Sequence, residues 1–505
     1  MEALEALRMN KIVKSFGSLK ALDQVDLTVA KGEIHCLLGE NGAGKTTLMK
    51  ILYGIHQQDE GEIYLNAKKV KISSPKEAIT QGISMVFQHF MLIPNLSVME
   101  NIILGQEETK MGILADKESR NKVANLSENL GLKVRLDMLV EDIPVGEKQR
   151  VEIIKALYRG AEIIILDEPT AVLTPQEVSE LFKVLKTLKE DGKTIIIITH
   201  KLKETLAVAD KVTVLRNGKN QGSISTNKAT PEILAQMMVG RNVMLEVVKD
   251  KVEKGPVIFE TKGLNLKDKL KNINLKIHAG EIVGIAGVEG NGQTELLETL
   301  IGLCSPTSGS IIFDQKDITK DSVEERLDQG LGFIPEDRND RGLVNNFKLW
   351  QNAILGYQKR YEKKGLLDFA AITKASETIV KNYQVKVLGI DSKSSSLSGG
   401  NAQKLLVGRV FYHNPRVLII AHPTRGVDVG AIEYLHKEIL SMRSQGKAIL
   451  LVSADLDEIR QLSDRIAVIY EGAITIEGDG GDFTEDELGL YMAGGLRPES
   501  KVVKA

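Results

Sequence analysis

Ile34-His35-Cys36-Leu37-Leu38-Gly39-Glu40-Asn41-Gly42-Ala43-Gly44-Lys45-Thr46-Thr47 is the stretch that decides the fold. Ile34 to Leu38 reads as a buried strand, and Gly39 to Thr46 follows with the form G-x-x-x-x-G-K-[ST]. In such a loop the glycines let successive backbone N–H groups turn inward around phosphate oxygens. The N-terminus of the following helix adds positive potential. Lys45 supplies a mobile positive charge, and the Thr46 hydroxyl suits Mg²⁺. The loop follows a predicted strand and precedes a predicted helix, which is the context the motif requires. Gly39, Asn41, Gly42, Gly44, Lys45, Thr46 and Thr47 are therefore the predicted nucleotide contacts.

The same pattern recurs, broken, in Gly287-Val288-Glu289-Gly290-Asn291-Gly292-Gln293-Thr294. Gln293 stands 248 residues after Lys45 (293 − 45), about half of the 505-residue chain. The echo extends well beyond the loop. Gly32-Glu33-Ile34 answers to Gly280-Glu281-Ile282, and Asn101-Ile102-Ile103-Leu104-Gly105 to Asn352-Ala353-Ile354-Leu355-Gly356. Val145-Gly146-Glu147-Lys148-Gln149 answers to Gly399-Gly400-Asn401-Ala402-Gln403, and Pro169-Thr170 to Pro423-Thr424. A period this long means a duplicated domain.

Composition bounds the rest. A chain of this length exceeds one core, and 42% hydrophobic with 27% charged residues is ordinary for a soluble globular protein. A net charge of −2 gives no reason to expect nucleic acid as a ligand. Cys36 and Cys304 are the only cysteines, which argues against a disulfide framework or a zinc site and fits a reducing compartment. No apolar run approaches the roughly 18–20 residues that cross a bilayer. Met1-Glu2-Ala3-Leu4-Glu5 lacks the shape of a signal peptide. If the protein acts at a membrane, partners must dock it there.

Ile34 to Leu38, Ile163 to Leu166 and Ile195 to Thr199 read as strands buried on both faces of a parallel sheet. Thr174-Pro175-Gln176-Glu177 opens a helical pattern that ends near Asp191-Gly192, and Ser97 to Leu157 reads as helical. Each half is thus an α/β nucleotide domain with a helical insertion. The predicted boundaries are 1–241 and 257–493, joined by a short charged bridge over 242–256 and followed by a frayed tail over 494–505.

Ile163-Ile164-Ile165-Leu166-Asp167-Glu168 carries two carboxylates at a strand's C-terminal end, where ligands of doubly wound sheets bind. Asp167 is placed to hold Mg²⁺ through water, and Glu168 to polarise an attacking water. At this point the sequence resembles the ATP-binding-cassette family, over nearly the whole chain and twice. The resemblance implies two tandem P-loop ATPase domains, each with a RecA-like α/β core, an antiparallel β subdomain and a helical insertion. It implies ATP and Mg²⁺ as cofactors, with Thr46, Gln88 and Asp167 at the metal. It gives His200 a contact to the γ-phosphate and Phe16 a stack on adenine; from the residues alone, Phe16 reads equally as core. Leu397-Ser398-Gly399-Gly400-Asn401 matches the family's signature, whose Ser398, Gly399 and Gly400 would bind the γ-phosphate of the opposite domain.

Against that pattern the second half is dismantled. Lys45, Asp167, Glu168, His200 and Gln88 become Gln293, Ala421, His422, Ala454 and Glu336, and no aromatic stands between Thr261 and Gly280. The signature is asymmetric the other way, because Pro144 in the first half takes the place of Ser398. The family pairs its domains head to tail, each site joining one phosphate loop to the other domain's signature. Under that pairing one site is complete and the other is ruined on both sides. This sorting implies that the two halves pair within one chain, with Asp428 facing the working site and Thr174 the dead one.

The resemblance implies the energising ATPase of a membrane importer, with two permease subunits and an extracytoplasmic lipoprotein receptor, at the cytoplasmic face of the cell membrane. Phe90-Met91-Leu92-Ile93-Pro94 is the expected permease contact, with a buried loop as the competing reading. Gln88 to Leu96, Ala156 to Ala161 and Ala171 to Glu177 look like the nucleoside branch; simple-sugar importers are the alternative. A soluble ribosome-associated tandem protein would carry two intact sites and a long charged linker, and a DNA-repair ATPase would carry zinc modules or a coiled coil.

Overall fold

The computed structural model describes all residues except 1–3, 18, 89, 108, 111–112, 115, 171–172, 174, 242–248, 289, 428, 493 and 496–505. Thr174, Asp428, half of the expected bridge and most of the expected tail lie outside the described residues. The chain divides into two compact units, Met1–Val243 and Met244–Ala505.

In the first unit a six-stranded sheet runs Lys219–Ser225, Lys211–Arg216, Ile34–Leu38, Thr194–Thr199, Ile163–Asp167 and Ile83–Val86. Every neighbouring pair is parallel except the antiparallel edge Lys219–Ser225. The strands Ile34–Leu38, Thr194–Thr199 and Ile163–Asp167 are buried at every position, as their largely apolar sequences require. Burial of each isoleucine side chain stabilises the sheet by about 1.5–3 kcal/mol. A second, four-stranded antiparallel sheet is ordered Leu19–Ala30, Glu5–Phe16, Glu60–Leu65 and Lys68–Val70.

Register places the site. Ile198 lies opposite Asp167, and Thr199 opposite Leu38. Gly39, Glu168 and His200 therefore leave the sheet together, at its C-terminal edge.

The second unit repeats the plan. Its six-stranded sheet runs Leu331–Ile334, Val417–Ala421, Ala448–Ser453, Ile282–Ala286, Arg465–Tyr470 and Ala473–Asp479. Its antiparallel sheet is ordered Leu270–His278, Val257–Leu266, Ser308–Phe313 and Lys316–Asp317. Ala421 lies opposite Val452 and Ala286 opposite Ser453, so Gly287, His422 and Ala454 share one edge as their counterparts do. Residues just before this unit's first strand pack onto it: the Lys249 ammonium donates to the Ser463 carbonyl at 2.6 Å, and Lys254 pairs with buried Glu281 at 3.1 Å.

The helix expected after Thr174 spans Pro175–Glu190. The span 97–157 departs from an all-helical reading. It holds helices Val98–Ile103, Asp116–Asn129 and Val145–Tyr158, but also the paired strands Thr109–Lys110 and Ile113–Leu114. Strands of two residues are too short to leave an alternation in the sequence.

Candidate functional site

Backbone conformation shapes the phosphate loop. Gly44 caps helix Lys45–Leu52 at φ 101°, which a side chain would strain. A Cβ on Gly39 would lie 2.3 Å from the Leu215 carbonyl oxygen. Lys45 is buried, and its ammonium donates to the carbonyls of Gly39 at 2.7 Å and Glu40 at 3.0 Å. Burial pushes the Lys45 pKa down, against the opposing pull of Glu168, Asp167 and Glu40.

Thr46 Oγ1 donates to Asp167 Oδ1 at 3.4 Å, so the two groups expected at Mg²⁺ stand side by side. Burial, then the charge of Glu168, pushes the Asp167 carboxyl up to about 6. A divalent cation between Thr46 and Asp167 would offset this unfavourable burial of charge, so these residues fit one.

Glu168 sits at φ 47°, outside the strand's conformation, which turns its side chain out of the sheet. Gln88 Nε2 donates to its Oε2 at 3.0 Å, and His200 Nδ1 lies 3.0 Å from its Oε1. Burial alone would raise the Glu168 pKa. The bond and charge of His200, with Lys45 and Lys201, outweigh it and hold the group down, as a carboxylate. A carboxylate held between two donors at a sheet edge, beside a phosphate loop, is placed to accept a proton from water. Lys45, Thr46, Gln88, Asp167, Glu168 and His200, remote in sequence, thus share one edge.

Phe16 ends its strand with 44% of its surface exposed, so it is not a core residue. Its ring meets His56 edge-on at 5.3 Å.

The second unit keeps the frame with other side chains at these positions. Gly292 takes φ 104° and His422 φ 44°, matching Gly44 and Glu168. Gln293 closes its loop on itself: Nε2 donates to the Val288 carbonyl at 2.8 Å, and Oε1 accepts the Asn291 N–H at 3.1 Å. That N–H belongs to the loop that would otherwise face phosphate. Ala421 offers no metal ligand, and His422 Nδ1 accepts from the Ala454 N–H at 3.3 Å. Ser398 caps helix Gly399–Tyr412 without a side-chain bond to the helix backbone, its hydroxyl accepting instead from Asn401 Nδ2 at 2.9 Å. Pro144 is the corresponding cap of Val145–Tyr158 and has no hydroxyl.

Sequence reasoning missed the residues that shape the expected permease contact. Met91 and Ile93 are 61% and 39% exposed, so the loop is not buried. Its backbone is pinned from below. Buried Glu152 accepts the Met91 N–H at 2.7 Å, and buried Lys155 donates to the Met91 carbonyl at 3.1 Å. Buried Asn101 accepts the Ile93 N–H at 2.7 Å and donates to the Ile93 carbonyl at 3.0 Å. Asn352 does the same for Val344 at 2.8 and 2.9 Å, and Val344 and Phe347 are 38% and 37% exposed. The signal was present in the repeated Asn-x-Ile-Leu-Gly echo, without a role attached. Asn101→Ala would leave the Ile93 N–H without its acceptor, while the Ile93 carbonyl keeps the Leu96 N–H, an expected cost of about 1–3 kcal/mol in denaturant unfolding.

The profile of the ABC transporter family matches residues 22–171 and 270–425. The chain belongs to that family, twice over, and is an ATP-hydrolysing member. It is 47% identical over 497 residues to the nucleoside import ATP-binding protein NupA of Lactococcus lactis subsp. cremoris, covering 97% of this chain and 98% of that protein. It is 44% identical to the guanosine import ATP-binding protein NupO of Bacillus subtilis, covering 98% of each chain. A ribose import ATP-binding protein, RbsA of Clostridium tetani, is 39% identical over 97% of this chain and 98% of that protein. Among solved structures, the archaeal ribosome recycling factor aABCE1 shares the fold at 20% identity, covering 96% of this chain and 92% of that chain with a TM-score of 0.61.

Proposed function

We propose that this protein is the ATPase subunit of an importer for nucleosides of the purine type, bound to two permease subunits at the cytoplasmic face of the membrane and served by a substrate-binding lipoprotein. The observation that carries the reading is the assembled cluster of Lys45, Thr46, Gln88, Asp167, Glu168 and His200, in a chain whose relatives at 47% and 44% identity import nucleosides. The paired loop displays support the permeases. Each unit uses a buried asparagine to hold a loop that exposes apolar side chains, Met91 and Ile93 in the first and Val344 and Phe347 in the second, and the second unit does so although its catalytic groups are replaced. Among the described residues no helix is long and apolar enough to cross a membrane.

ATP binds with its phosphates in the Gly39–Thr47 loop, and Phe16 stacks on adenine. Mg²⁺, held by Thr46, Asp167 and Gln88, would neutralise phosphate charge. Glu168 takes the proton of the attacking water, His200 orients that carboxylate and reaches the γ-phosphate, and Lys45 steadies the charge. Ser398, Gly399 and Gly400 complete this site from the second half, which pairs with the first. This reading rests on how the defects sort in the sequence: Lys45, Glu168 and Ser398 are kept, while Gln293, His422 and Pro144 would share the other site. Closure on ATP and opening after hydrolysis supply the stroke that permeases use.

Vesicles reconstituted with this chain and its permeases and receptor are expected to take up guanosine when ATP is supplied inside the cytoplasmic-facing compartment. Uptake of ribose without any nucleoside uptake would overturn the substrate assignment in favour of the simple-sugar alternative.

A further inference from the structure

In the second unit the guanidinium of Arg338 reaches two segments far from it in sequence, the Arg425–Gly426 loop and the helix start at Gly399. Arg338 lies two residues after Glu336, in the turn Arg338–Gly342 that leads to the Val344 display. Its Nη1 donates to the Arg425 carbonyl at 2.9 Å, and its Nη2 to the Gly426 carbonyl at 3.2 Å. These carbonyls belong to the loop after Pro423-Thr424. The same Nη2 fills the space beside Gly399, where an added Cβ would stand 2.7 Å from it. A fixed positive charge therefore backs the first turn of the helix capped by Ser398.

The first unit lacks this tie. Counting on from Gln88 and Glu336, Phe90 stands in the place of Arg338, and Val145 in the place of Gly399. One position further along, the corresponding helix start meets the opposite charge: a Cβ on Gly146, the counterpart of Gly400, would run into Glu177 Oε1. Glu177 corresponds to Ala431 in the second half. The half that lost its own catalysis has a cation at its signature turn, while the half with the defective signature has a carboxylate there.

We propose that Arg338 is a positioning residue for the working ATP site, tying the display-loop segment to the Arg425–Gly426 loop and holding the Ser398–Gly400 turn in place with positive charge behind it. The inference rests on the reading that Ser398 completes the first half's site. It adds a route by which a permease pressing on Val344 and Phe347 moves the signature turn: the tie is short, it passes through one side chain, and its fork geometry fixes direction as well as distance.

The test uses the full chain and MgATP, with three variants: Arg338→Ala, Arg338→Lys and Ser398→Arg. Arg338→Ala is expected to lower kcat for ATP hydrolysis by about 10- to 100-fold, the scale of a displaced catalytic contact, with Kd for a non-hydrolysable ATP analogue and Tm unchanged. Arg338→Lys keeps the charge without the fork and is expected to recover only part of that loss. A kcat within twofold of the parent for Arg338→Ala overturns the inference. So does a loss matched by weaker binding and a lower Tm, and so does full recovery by lysine. Ser398→Arg separates the two levels of the argument. If it leaves hydrolysis intact, the shared-site reading fails; if it abolishes hydrolysis while Arg338→Ala stays active, only the role of Arg338 fails.

Discussion

Glu168→Gln is expected to abolish measurable ATP hydrolysis while MgATP still binds. The glutamine keeps the shape of the side chain and its place at φ 47°, so the surrounding edge stays built. It loses the charge that accepts a proton. Its amide also meets donors on both sides, because Gln88 Nε2 and His200 Nδ1 each address one carboxylate oxygen at 3.0 Å. Only one of those contacts survives unless a neighbour flips. Loss of a general base costs about 10²–10⁴ in rate, or about 3–5 kcal/mol of barrier. Steady-state phosphate release, measured beside equilibrium binding of a fluorescent ATP analogue, separates the two effects. Hydrolysis within tenfold of the parent would mean that Glu168 is not the base.

The sequence shows where this site lies but not how it closes. Strand positions were legible because isoleucine-rich runs buried on both faces admit few other readings, and the phosphate loop was legible because its glycines and lysine occur at fixed spacing. The convergence of Gln88 and His200 on Glu168 was not legible. It depends on the parallel register that sets Ile198 opposite Asp167 and on one positive φ, and a single sequence encodes neither in its periodicity. The self-closing of the second loop by Gln293 was hidden for a related reason: substitution of lysine announces a lost charge but not a new hydrogen bond to Asn291. Arg338 gave no signal at all, since its partners are backbone carbonyls, and any residue could have supplied them.

Lys45→Ala and Gln293→Ala occupy equivalent positions and are expected to differ by orders of magnitude. Lys45 is buried in the intact loop with its ammonium on the Gly39 and Glu40 carbonyls, and its charge is one of those that favour the ionised Asp167 and Glu168 carboxylates. Its removal is expected to cost at least 10²-fold in hydrolysis, by the loss of preorganised charge at the phosphates. Gln293 holds its own loop shut in the unit where Ala421, His422 and Ala454 stand in place of Asp167, Glu168 and His200 and the loop carries no lysine for phosphate. Gln293→Ala is therefore expected to leave hydrolysis within about twofold of the parent, a difference of about 0.4 kcal/mol in barrier. The signature positions carry the same test across the duplication. On the proposed pairing, Ser398→Arg would push a long side chain into the cap that the first half's ATP meets and is expected to abolish hydrolysis, whereas Pro144→Ser is expected to change little, because the loop it would serve carries Gln293 in place of Lys45. Equal losses from Lys45→Ala and Gln293→Ala would mean that both sites turn over, and the division of labour between the halves would fall with that result.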